Sequence, residues 1–187
     1  MVLVLGIIAG LIAGFAGGGR IDRIADLALR GAPLFFAAFV LQLIAFPSGI
    51  LPFAIADSVA TTLWLCSYAL LVALALLNRR VRGFPLAIAG MFSNLAAVLA
   101  NHGHMPALPS ALAAAGTPIE RVHNNSVVAD NPHLAWLIDR WGAPEWVPLA
   151  NVYSVGDVLL ALGAVVIVSA AMGATFPRPL LPHAQRG

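Results

Sequence analysis

Five apolar runs, near 2–18, 33–54, 58–78, 84–100 and 150–172, constrain this chain more than any other feature. Each is about long enough to cross a hydrocarbon core of roughly 30 Å at about 1.5 Å rise per residue. In hydrocarbon every backbone polar group must be bonded within the protein, and runs of this length satisfy that condition as helices. Only 10% of the 187 residues are charged, against about a quarter in a soluble domain. The expected fold is therefore all-α: a single polytopic membrane helix bundle over 1–187 with about five transmembrane helices. The first run has no basic segment ahead of it and is followed by four more, so it is expected to persist as a helix rather than serve as a cleaved signal. The second holds Pro33, Pro47 and Pro52 with Gly49 and is expected to break near Phe46, continuing across or returning as a re-entrant loop.

All ten basic residues are arginine, a bias expected of a GC-rich bacterial genome. Arg20, Arg23 and Arg30 fall in the first connection and Arg79, Arg80 and Arg82 in the third, whereas the second, Pro47 to Asp57, has none. The positive-inside rule then places the N-terminus outside and the tail, 173–187 with Arg178 and Arg186, in the cytoplasm. A bacterial inner (cytoplasmic) membrane location follows, with the lipid bilayer as principal partner. Arginines spread over several loops form no clustered nucleic-acid face. Between Arg20 and Arg30, Ile21, Ile24, Leu27 and Ala28 share one helical face, the pattern of a short amphipathic helix on the inner surface. Cys66 is the single cysteine, which rules out an intrachain disulfide.

In the first run Gly6, Gly10, Gly14 and Gly18 recur every fourth residue, a glycine zipper that lets another backbone approach closely. Its partner is either another helix of the same chain or, through helix one, a second copy or a larger membrane complex. The small or polar positions Ala87, Gly90, Asn94, Ala97 and Asn101 recur at helical spacing in the fourth run, as do Gly156, Gly163 and Ala170 in the fifth, and both stripes are expected to face the interior.

The connection 101–149 is long and hydrophilic, and it carries four of the five histidines, His102, His104, His123 and His133. It reads as an exoplasmic helical lid. Pro109 and Ser110 start a first helix that Gly116 ends. Asn131 and Pro132 open a second that closes at Gly142, with Leu134, Leu137, Ile138 and Trp141 on one face. Trp136 and Trp146 are expected in the headgroup region.

Asp157 is the one acidic residue expected well inside a span, and such a group marks a functional site by default. With Asn151 as N-cap, Asn151, Ser154 and Asp157 would line one face running about 9 Å inward from the outer surface. Asn94, Asn101 and Gln42 are candidates to complete this polar stripe beneath His102 and His104. The candidate ligand site is thus Asn94, Asn101, His102, His104, Ser154 and Asp157, with mutual hydrogen bonding between helices as the structural alternative. No catalytic residue is assigned. Ser154-Val155-Gly156-Asp157 departs from the Gly-x-Gly-Asp element of intramembrane aspartyl proteases, and no second aspartate lies in a span to share a proton. Haem ligation would require histidines on the spans. His102 and His104 with His123, His133 or Asp130 have only weak metal-ligand spacing, so no metal is assigned and the cofactor stays open.

Asn101-His102-Gly103-His104-Met105-Pro106 and Val152-Tyr153-Ser154-Val155-Gly156-Asp157 resemble two signature elements of a family of small bacterial membrane proteins, domain of unknown function 5317. Leu134, Leu137 and Asp139 are similar to its intervening Leu-x-x-Leu-x-Asp segment. The resemblance implies a helical membrane protein and no activity. Rich packing chemistry beside scarce catalytic chemistry leads to the expectation of a structural or accessory membrane subunit, or a small binder of an apolar or amphipathic ligand. The alternative is a membrane enzyme or transporter with a polar site near Asp157 open to the outer face.

Overall fold

The computed structural model describes residues 2–45, 55–116, 126–128, 131–144, 146–147 and 151–175. The chain is mostly helical: α1 (Val2–Ala16), α2 (Ala32–Ala45), α3 (Asp57–Leu77), α4 (Phe84–Ala100), α5 (Pro109–Ala114) and α6 (Val155–Ala171), with a 3₁₀ turn over Ile21–Asp26. The described residues also include four short strands: β1 (Met105–Ala107), β2 (Ser126–Val128), β3 (Trp141–Gly142) and β4 (Val152–Tyr153). Among the described residues one helix, α3, is long and apolar enough by length and composition to cross a membrane, while α1, α2, α4 and α6 are shorter apolar helices. The proposed break of the second run near Phe46 lies outside the described residues.

Helix α6 is the hub, packing against α1 on one side and α4 on the other, while α2 packs on α3 and α3 meets α4. Glycines set the closest contacts because they have no Cβ to hold the helices apart. A Cβ at Gly6 would lie 2.6 Å from the Ala161 carbonyl oxygen, and one at Gly10 would lie 3.1 Å from Val165 Cα. Numbers rise together along this contact, so α1 and α6 run parallel. Across α4 they run oppositely: Gly90 faces Gly156 and Leu160, while Gly83 faces Gly163 and Ile167. The first glycine stripe is therefore spent within the chain on α6. Gly18 does not join it, since a Cβ there would meet nothing within 4 Å; its φ of +73° instead places it in the left-handed turn that ends α1.

The helices alternate in direction, and their connections collect at two ends. At one end Arg20 N–H donates to the Met172 carbonyl (2.8 Å) and Arg30 N–H to Asn78 Oδ1 (2.9 Å), gathering Arg20, Arg23, Arg30, Arg79, Arg80 and Arg82. The expected amphipathic helix there is shorter than its pattern, a 3₁₀ turn with no buried residue. Between the ends, Tyr68, Ala75, Phe84 and Met91 form a cluster with Leu71, Ile88, Leu160 and Ile167 around them. Outward faces remain strongly apolar, with Ile12 64%, Phe36 65% and Leu99 59% exposed.

The opposite end is a cap over α4 and α6. Its first helix, α5, lies where Pro109 and Gly116 mark it, and it buries its own Ala111 and Leu112 against Ala107. The expected second helix, from Asn131 to Gly142, does not form. Leu134 has φ +52°, which breaks a helix, and Asp139 N–H donates to the Pro106 carbonyl while accepting from Leu108 N–H at its own carbonyl. Trp141 and Gly142 then pair antiparallel with Tyr153 and Val152. Leu137 and Ile138 are buried, but Leu134 and Trp141 face outward. Non-local strand pairing overrides the helical period, as happens readily in short segments.

Candidate functional site

The six candidate residues divide into two groups. The first is a closed cluster between α4 and α6. Ser154, not Asn151, is the N-cap of α6, and Asp157 is its N3 residue. Ser154 Oγ accepts from Asp157 N–H (3.1 Å), and Asp157 Oδ2 accepts from Ser154 N–H (3.0 Å), a reciprocal capping box. Asn94 closes it from α4: its Nδ2 donates to Asp157 Oδ1 (2.9 Å), and its Oδ1 accepts from Ser154 Oγ (2.8 Å). Ser154 is fully buried.

This corrects the expected depth of Asp157. Its side chain sits in the first turn of α6, where it satisfies a backbone N–H that the helix itself leaves without a partner. Gly156 makes the arrangement possible, because a Cβ there would collide with Asn94 Oδ1. Asn151 stands apart, with its Oδ1 accepting from Val152 N–H (2.8 Å). Gln42 is also elsewhere: its Nε2 donates to Ser67 Oγ (3.2 Å), joining α2 to α3.

The second group lies at the end of α4. Asn101 Nδ2 donates to the Ala97 carbonyl (2.7 Å) and the His133 carbonyl (2.9 Å), while its Oδ1 accepts from His133 N–H (2.8 Å). One amide thus caps α4 and grips both backbone groups of the loop beyond. His102 is exposed at φ +58°, and Gly103 follows at φ +89° with Thr61 beside it. His104 Nε2 approaches Asp57 Oδ2 at 3.4 Å, linking the cap to the start of α3. Among the described residues no group of three or more His, Cys, Asp or Glu side chains has the arrangement to hold a metal ion; His123 and Asp130 lie outside them.

Sequence reasoning missed Asn78, which does for α3 what Asn101 does for α4. Its Nδ2 donates to the Leu74 carbonyl (2.8 Å) and the Arg30 carbonyl (2.9 Å), and its Oδ1 accepts from Arg30 N–H. The available signal was an asparagine directly after the last apolar residue of a run, a C-terminal capping position. Tyr68 was missed as well; its hydroxyl donates to the Met91 carbonyl at 2.7 Å and ties α3 to α4.

No curated protein and no solved structure matches the chain. A family model does match, over residues 26–169, and so takes in α2, α3, α4, the cap, the capping box and nearly all of α6. The chain belongs to the family of unknown function DUF5317.

Proposed function

We propose that this protein is a multi-pass helix bundle of the bacterial cytoplasmic membrane, with the arginine end inside and the cap outside, serving as a structural or accessory membrane subunit. Two observations support the membrane reading. Only 22% of the apolar window of α3 is buried, where the core helix of a soluble protein would be mostly covered. Six described arginines share one end, as expected of the cytoplasmic face. Helices of fourteen to seventeen residues span with locally thinned lipid and flanking segments at the interface. Trp136 and Trp146, 61% and 83% exposed on the cap, suit the outer headgroup region.

The observation that carries the structural role is the mutual saturation of Asn94, Ser154 and Asp157, which spend their hydrogen bonds on each other at a helix contact. With Gly6, Gly10 and Gly14 covered by α6, a partner would dock on another face of α1. Extraction from native membranes in mild detergent, followed by native mass measurement, tests this role. A co-isolated protein or bound apolar ligand is expected; a bare monomer contradicts it.

The enzyme or transporter reading draws on exposed His102 and on His104 beside Asp57. It requires His104→Ala and Asp157→Asn proteins that fold normally yet lose a cellular phenotype shown by deletion. Retention of that phenotype by both removes this reading.

A further inference from the structure

We propose that the arginine end carries a binding site for the headgroup of a net-anionic phospholipid, formed by Arg30, Arg79, Arg80 and Arg82 and organised by Asn78. The inference rests on the membrane reading above. It starts from a buried amide: Asn78 is 3% exposed and holds both backbone groups of Arg30, so two connections distant in sequence meet at one point. Leu29 and Val81, one from each connection, pack into the cluster of Ala75 and Phe84 beneath. The rim is thereby anchored, while all four arginine side chains are exposed.

Charge at this rim is unbalanced. The six arginines of this end face two aspartates, Asp22 and Asp26, and Asp22 is taken by Arg20 at 2.8 Å. Among the described residues, no carboxylate pairs with Arg30, Arg79, Arg80 or Arg82. Guanidinium forks match phosphate oxygens in pairs. A zwitterionic headgroup would bring an ammonium into the same positive field, whereas a glycerol or second phosphate would not. Net-anionic lipids are therefore preferred, and the acyl chains hold the phosphate at the depth of the rim.

The test is native mass spectrometry of the detergent-purified protein with added phosphatidylglycerol or phosphatidylcholine. Phosphatidylglycerol adducts are expected to exceed phosphatidylcholine adducts by about tenfold or more, given several guanidiniums at the membrane surface. Arg30→Gln/Arg82→Gln, which keeps Arg79 and Arg80 to preserve orientation, should lower that preference by about threefold or more. Equal adducts in the parent, or an unchanged preference in the folded double variant, overturn the site. Should the variant fail to fold, the parent decides: its preference should collapse between about 50 and about 500 mM salt, and persistence would overturn the proposal. Soluble glycerol phosphate binding as well as the lipid would overturn the lipid assignment in favour of a free anion. A protein that needs detergent but shows no selectivity loses the site and keeps the bundle; one stable in plain buffer loses both.

Discussion

Asn94 illustrates how a polar residue in an apolar helix can be a fastener. Its amide supplies one donor and one acceptor to a capping box that already satisfies two backbone-facing contacts. Asn94→Ala leaves the Ser154 O–H without its acceptor and Asp157 Oδ1 without its donor, a cost of about 1–2 kcal/mol by analogy with interhelical hydrogen bonds. Thermal unfolding in detergent checks this, and an unchanged midpoint would show that the cluster contributes nothing. Asn78→Ala is expected to cost about 1–3 kcal/mol, since it removes the partner of both the Arg30 N–H and the Arg30 carbonyl, while the Leu74 carbonyl keeps the backbone N–H of residue 78. Faster amide exchange at Arg30 would localise the loss. The sequence made Ser154 and Asp157 conspicuous, but the end of the apolar run hid the true helix start: Val152 and Tyr153 are apolar yet belong to a strand. The spacing of Ser154 and Asp157 is itself a capping-box pattern, and it was the better guide to the boundary.

At the scale of elements, glycines determine which helices touch. A methyl at Gly90 would meet the Gly156 carbonyl oxygen at 2.5 Å, a backbone atom that yields only if α4 and α6 separate. Gly90→Ala should therefore destabilise by about 1–3 kcal/mol, the usual range for overpacking. Gly18→Ala acts otherwise: space is open there, and the loss, about 1 kcal/mol, comes from the left-handed backbone alone. Paired melting curves test the contrast, and equal effects would mean that α4 and α6 do not pack at Gly90. Small-residue spacing announced the contacting faces of α1, α4 and α6, because close approach leaves a periodic mark in the sequence. It did not say that α6 takes both partners. The cap was the least legible element. Leu134, Leu137, Ile138 and Trp141 imitate a helical face, while the pairings of Trp141 with Tyr153 and Asp139 with Ala107 depend on residues far away in the chain.

For the molecule as a whole, the alternation of five apolar helices brings six of the seven described arginines to one end and the cap, which carries Arg140, to the other. The packing directions derive from hydrogen bonds and glycine contacts, and they agree with the segregation of charge, which derives from composition. The proposed membrane bundle accounts for Ile12, Phe36 and Leu99 facing outward while Arg20, Arg23, Arg30, Arg79, Arg80 and Arg82 share one pole. The most direct test is cysteine labelling on spheroplasts with a membrane-impermeant maleimide, in a Cys66→Ser background, comparing His102→Cys with Arg80→Cys. Labelling of His102→Cys on intact spheroplasts, and of Arg80→Cys only after lysis, is the predicted result. Equal labelling of the two sites before lysis, or recovery of the protein in the soluble fraction, would contradict it.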